Sequence, residues 1–405
     1  MSLLVILSIE GLLQLAALSN KRVNEILTGV PRTLPDPVLR VRPNPALPDH
    51  DAAGWRNAER LARAEIVAIG DSQTYGDEVA RANAWPQQLA ARTGLRVYNM
   101  AQGGYGPAQY GALVDEAMAL SPRWIFVGFY AGNDLADTYK SVYDSAVFAE
   151  LRSRDAAVLA RLDASAGSGD LSDAWRATKT ARKGRLKVTF TRWIGEPIRS
   201  GSRIYGLIRG LTRLGAGPIS LRQDTDHTRF DKYAAVVENA DPNLLFALSA
   251  GAVSTVLTPA ARHAVLDRTD ARVVEGLRIS LDIFAQIDAR CAQRCRVAIV
   301  LIPTKELVYA DTVHRVGASV PPVYADLVHA EREMWQLARA GLARLGVAWI
   351  DTLPSLASRA NSSERPYLAD WNGHPNAAGN AAIAEAVASF LAAQSGASSG
   401  RLGSE

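Results

Sequence analysis

Residues 66–72 read Ile66-Val67-Ala68-Ile69-Gly70-Asp71-Ser72. An aliphatic, β-branched run too short for a helix and ended by a turn-forming Gly-Asp pair predicts a strand buried on both faces. Four further stretches share that design: RVYNMA (96–101), WIFVGFYAGND (124–134), RVAIVLIP (296–303) and VAWIDT (347–352). Helical patterns lie between and after them, over 85–95, 107–120, 273–287, 331–345 and 377–391. In the third, Val273, Leu277, Leu281, Phe284 and Ile287 recur at steps of four and three, which places them on one helix face. Strand–helix alternation of this kind predicts βαβ crossovers, hence an α/β fold of three layers, α/β/α, around a five-stranded parallel, doubly wound sheet. The stretch 135–270, far too long for one crossover helix, is expected to be a helical insertion between strands three and four.

The rest of the chain sets bounds. With 405 residues, 48% hydrophobic and 21% charged, it can bury a sizeable core, which excludes a wholly disordered, collagenous or multi-span membrane protein. Forty-five basic against 41 acidic residues leave a net charge of +4, too small a surplus to predict a nucleic-acid partner. The surplus is local: over 176–213 there are 11 Lys and Arg against Glu196 alone. Trp193, Ile194, Ile198, Tyr205, Ile208 and Leu211 approximate an apolar stripe there. The segment reads either as the solvated face of a lid or as a contact for an anionic membrane or acidic polysaccharide.

Cys291 and Cys295 are too few for a disulfide framework or a four-ligand zinc site; they are either two buried thiols or a small-loop disulfide. Residues 3–18 form an apolar run with Glu10 at its middle and Lys21 and Arg22 after it. Residues 1–20 are thus either a membrane anchor or signal-like helix, or an amphipathic helix packed on the domain. A proline-rich lead-in over 21–63 and a flexible tail over 393–405 complete the organisation.

Chemistry gathers at the strand tips, where ligands bind in open parallel sheets. Ser72 follows the first strand in a glycine-flanked turn, which exposes its hydroxyl. After the second come Asn99 and then Gln102-Gly103-Gly104, whose glycines let a backbone N–H approach a ligand. Asn133 sets a carboxamide at the tip of the third. Near the C-terminus stands Asp370-Trp371-Asn372-Gly373-His374, with side chains able to orient the imidazole. Each signal alone is also an ordinary turn or cap.

In this order and context the four blocks resemble those of the SGNH/GDSL hydrolase superfamily, over roughly 64–134 and 271–392. IGDSQTYG resembles the first block, NMAQGG the second, AGND the third and GHPNAAG the last. The resemblance implies an SGNH, flavodoxin-like core. It implies Ser72 as nucleophile, His374 as general base, and an oxyanion hole of Ser72, Gly104 and Asn133. The sequence departs from the family twice. Ala131 stands where a glycine is common, and Trp371 occupies the position three before His that usually holds the triad Asp. Asp370 is the expected acid, because a carboxylate stabilises the imidazolium; Asn372 or a backbone carbonyl is the alternative.

The implied activity is that of a serine esterase working through an acyl-serine, with no metal or organic cofactor. DAAGWRN (51–57), TYGDEVARANAWP (74–86) and IPTKELVYAD (302–311) resemble bacterial proteins of cell-surface O-acetylation, IPTKELVY in particular those of the alginate O-acetyltransferase type. That implies O-acylated, O-acetylated carbohydrate substrates, Lys305 and Asn372 lining the site, and a periplasmic or membrane-anchored place in the cell envelope, with the cytoplasm still open. Two alternatives stand beside it: a polysaccharide O-acetyltransferase using the same site, and a non-catalytic glycan- or membrane-binding protein on this scaffold.

Overall fold

The computed structural model describes residues 31–47, 49–167, 169–183, 226–238, 240–250, 253–362 and 364–399. The strands are β1 (Thr33–Asp36), β2 (Arg40–Pro43), β3 (Ile66–Gly70), β4 (Val97–Ala101), β5 (Trp124–Tyr130), β6 (Phe246–Ala250), β7 (Val253–Leu257), β8 (Arg296–Ile302) and β9 (Ala348–Asp351). Helices used below are α1 (Ser72–Tyr75), α2 (Trp85–Thr93), α3 (Asp134–Tyr143), α4 (Asp173–Lys183), α5 (Ala271–Cys291), α6 (Lys305–Val308), α7 (Pro322–Leu345) and α8 (Ala377–Ser399).

The chain divides into two compact units. In the described part of the smaller one, β1 and β2 form an antiparallel hairpin. Beyond it Asp51 Oδ1 accepts from the backbone N–H groups of Ala53 and Trp55 at 2.8 and 3.1 Å. The proline-rich lead-in therefore carries ordered structure of its own. The larger unit holds the sheet β4-β3-β5-β8-β9, and every pairing in it is parallel. These are the five strands expected from the sequence. Their order reverses direction beside β3, which makes its C-terminal end a topological switch point.

Strand alternation builds the layers. Phe126 and Phe129 on β5 point to opposite faces. Phe129 packs edge-on against Phe284 of α5 and Trp335 of α7, with centroids 5.2 and 5.8 Å away. Phe126 meets Phe390 of α8 at 6.4 Å. Both faces of the sheet are thus covered by helices, and every residue of β3 is buried. Each fully buried aliphatic side chain of this kind contributes roughly 1.5–3 kcal/mol.

The structure corrects several expectations. The described part of the insertion is mainly helical, as expected, but it also holds β6 and β7, which pair as an antiparallel hairpin. The pattern over 107–120 breaks into two helices at Leu113. α7 begins at Pro322, whose missing N–H costs nothing at a helix start, so Tyr324, Leu327 and Val328 join the buried face. The tail expected from 393 is helical as far as Ser399. Cys291 and Cys295 pair as a disulfide. Residues 1–20, and residues 184–213 of the basic stretch with its apolar stripe, lie outside the described residues. Among the described residues no helix is long and apolar enough to cross a membrane.

Candidate active site

The turn after β3 is shaped by two absent side chains. A Cβ on Gly70 or on Gly128 would come 2.2 Å from Thr74 Oγ1, so only glycine at both positions lets Thr74 seat between β3 and β5. The chain can then turn directly into α1, with Ser72 as its first residue. Asp71 caps that helix, its Oδ1 accepting from Gln73 N–H at 2.9 Å. Burial, with the neighbouring charges of Asp137 and Asp77, drives the Asp71 carboxyl up to about 7. Asn99 on β4 holds the other end by donating from Nδ2 to the Thr74 carbonyl at 3.0 Å.

His374 arrives from the loop before α8. Its Nε2 lies 2.9 Å from Ser72 Oγ, and its Nδ1 lies 2.7 Å from Asn372 Oδ1. A carboxamide oxygen can only accept, so Nδ1 carries the proton and the Nε2 lone pair faces the serine hydroxyl. Asn372 Oδ1 also accepts from the His374 backbone N–H at 3.0 Å. Asp370, the expected acid, supports the same loop: its Oδ1 accepts from the Asn372 N–H at 2.7 Å. The 2.7 Å partner of Nδ1 is therefore the neutral carboxamide. A two-residue step brings the Asn372 side chain back over the ring, a reach that side-chain spacing alone could not decide.

Lys305 does not line the cavity. It is 1% exposed, and its ammonium donates to the carbonyls of Asp370 at 2.6 Å and Asn372 at 3.1 Å. It braces the histidine loop from below, and burial lowers its pKa to about 8. Thr304 caps α6, and Glu331 receives the Thr304 N–H at 2.8 Å, which fixes the turn that presents the lysine.

Asn133 is half-buried at the tip of β5, its Nδ2 donating to Asp137 Oδ2 at 2.6 Å. Asp134 anchors this loop from inside, accepting from the Tyr130 N–H at 2.9 Å and from the Tyr110 hydroxyl at 3.1 Å. Of the two glycines after β4, Gly103 stands against Ser72: a Cβ there would lie 3.5 Å from Ser72 Cβ. Gly104 has φ +84° and faces open space. Among the described residues the backbone N–H groups of Ser72 and Gly104 have no acceptor. Such donors can meet charge developing on an oxygen bound beside Ser72.

A cavity of about 440 Å³ opens on Ser72, Asn133 and His374, and Asn372 also lines it. Trp175, Arg182 and Arg262 form its far wall. Sequence reasoning placed none of these three at the active site. Arg182 was legible only as one cation of the basic stretch, and Arg262 carried no local signal, since it reaches the cavity from the short helix Pro259–His263.

No protein-family model matches the chain, and no curated protein matches its sequence. Solved structures do resemble it. One is an extracellular lipase from Streptomyces rimosus, at 15% identity and a TM-score of 0.39, covering 81% of this chain and 99% of that one. Another is phospholipase A1 from Streptomyces albidoflavus, at 13% identity and 0.37, covering 82% and 99%. A third is a protein assigned to the G-D-S-L lipolytic family from Desulfitobacterium hafniense, at 10% and 0.33, covering 80% and 98%. Identities this low, with TM-scores below 0.5, leave the chemistry to be read from the side chains themselves.

Proposed function

We propose that the protein is a serine ester hydrolase acting through an acyl-serine, on O-acylated carbohydrate. The observation that carries this is the Asn372–His374–Ser72 relay, with Nε2 2.9 Å from Oγ and Nδ1 2.7 Å from Oδ1. A serine hydroxyl is a weak nucleophile until a base takes its proton. His374 Nε2 accepts that proton as Oγ bonds to the ester carbonyl carbon, and the carbonyl electrons move onto oxygen. The N–H groups of Ser72 and Gly104 and the Asn133 amide receive that oxyanion, an effect of roughly 2.7–4 kcal/mol per donor in comparable sites. Collapse expels the alcohol, which takes the proton from Nε2. Water then repeats the sequence on the acyl-serine and releases the acid.

Carbohydrate is supported by a cavity large enough for a sugar ring and lined by polar side chains that include Gln73, Asn133, Lys140 and Asn372. The Cys291–Cys295 disulfide supports a location outside the reducing cytosol. The test is hydrolysis of p-nitrophenyl acetate and of an acetylated monosaccharide by the native protein, Ser72→Ala and His374→Ala. The reading expects turnover of both esters by the native chain and loss of at least about 10³-fold in each variant. Equal rates in all three would reject it in favour of a binding protein. Acetyl appearing on an added oligosaccharide, in place of free acetate, would mark a transferase.

A further inference from the structure

One wall of the cavity is a ladder of alternating cations and rings. The Arg262 guanidinium lies 5.6 Å from the Tyr130 ring and 5.5 Å from the Trp175 ring. Arg182 follows, 4.6 Å from Trp175 and 5.3 Å from Trp371. Tyr233 closes the stack against Trp371 at 4.4 Å. Each guanidinium is held on its faces by π-systems and touches protein carbonyls at one nitrogen: Arg262 Nη1 donates to Gly132 at 2.9 Å, and Arg182 Nη2 to Trp371 at 3.4 Å. Their Nε atoms are buried and have no acceptor among the described residues. Neither side chain forms an ion pair among those residues, whereas the third cation of the cavity, Lys140, is paired with Asp170 at 2.8 Å.

Two planar cations held on the faces of Trp175, neither in an ion pair among the described residues, favour an anion bound against them. Burial and the nearby Arg262 charge lower the Arg182 pKa to about 10 against the opposing carboxylates Glu306 and Asp370, and Glu306 is also among the charges that raise Arg262. Asp137, a carboxylate that lines the cavity, is engaged with the Asn133 amide. Arg262 also grips Gly132, the residue before Asn133, and Gly373, the residue before His374, is so close to Arg262 that a Cβ there would fall 2.8 Å from its Nη2. Arg262 is therefore built into both loops that carry the reacting groups, and Arg182 holds the histidine loop through Trp371.

We propose that Arg182 and Arg262 form an anion subsite, and that the ester cleaved at Ser72 belongs to a molecule that also carries a carboxylate or phosphate. This rests on the ester-hydrolase reading for its substrate but not for its binding. An oxyacid in the subsite accepts from a guanidinium of this ladder, which fixes the direction of the remaining ester relative to Ser72. A neutral ester of equal size lacks that register.

The experiment measures binding by calorimetry in Ser72→Ala, which binds without turnover. The probes are mono-O-acetylated methyl glucuronoside, mono-O-acetylated glucose 6-phosphate and neutral mono-O-acetylated methyl glucoside. At least one anionic probe is expected to bind ten-fold or more tighter than the neutral one, and the tighter of the two identifies the anion. Adding Arg182→Gln and Arg262→Gln should bring the anionic probes to the affinity of the neutral sugar. Equal affinity of all three probes for Ser72→Ala overturns the proposal, and so does an anion preference that survives both arginine changes. The first comparison stands even if the arginine variants fail to fold. Anion-selective binding in a protein whose native form cleaves none of the probes would leave the subsite intact and reject the hydrolase.

Discussion

Asn372 Oδ1 lies 2.7 Å from the ring nitrogen Nδ1 and 3.0 Å from the backbone nitrogen of His374, so one atom orients both the imidazole and the loop that carries it. A carboxamide selects the tautomer but adds no negative charge. Asn372→Ala is expected to lower kcat on p-nitrophenyl acetate by about 10–100-fold with little change in KM, while Asn372→Asp retains activity. Unchanged kcat in Asn372→Ala would remove this residue from the relay.

Asn133 has two amide hydrogens, and Asp137 takes one of them at 2.6 Å. The amide also hydrogen-bonds the buried Asp71 carboxyl, and an oxyanion beside Ser72 competes for this same group. Asn133→Ala should reduce kcat by roughly 10²–10³-fold and leave KM nearly unaltered, the pattern of a group that acts in the transition state. Steady-state kinetics check it; a pure KM effect would assign Asn133 to ground-state binding instead.

Lys305 is buried with a pKa of about 8, below the ordinary 10.5, because burial penalises its charge. Between those two values the unfolded chain holds a proton that the folded chain lacks, so this lysine makes the protein more stable as pH rises from about 8 to 10.5. The stability of the native protein relative to Lys305→Met should climb across that window by up to about 3 kcal/mol and stay flat below it. Urea midpoints at pH 7, 8, 9 and 10 read the difference. Parallel curves would show that the ammonium is not desolvated under the histidine loop.

Gly128→Ala places a methyl group 2.2 Å from Thr74 Oγ1 and 3.5 Å from Ile302 Cδ1. The substitution should destabilise the fold by about 1–3 kcal/mol and lower activity by shifting Ser72 with the turn. In a Thr74→Ala background the same change should cost markedly less. A double-mutant cycle with no coupling would refute the steric account of this turn.

The five strands and their parallel pairing were legible because a strand buried on both faces must be a continuous apolar run, and the five runs are separated by helical periodicity or by an evident insertion. Ser72, Asn133 and His374 were legible as polar residues at the ends of those runs. The partner of the ring was not: Asp370 and Asn372 are both near in sequence, and only the path of the loop decides which side chain turns over Nδ1. Lys305 was visible within a motif yet read as lining the cavity, since spacing does not reveal which side of a loop a long side chain takes. The β6–β7 hairpin escaped because its residues carry no marked periodicity among long helical stretches.

What the linear order of residues determined, then, was the local structure and the reactive tips, because both follow from apolar period and turn chemistry within a few positions. The tertiary structure alone decided the convergence of residues far apart in the chain. Ser72 meets His374, and Arg182 and Arg262 line up across Trp175, because a doubly wound sheet gathers the loops at its carboxyl edge whatever their distance in sequence. The charge balance of that cavity is a property of the assembled surface, where the guanidiniums lie against rings and not against carboxylates.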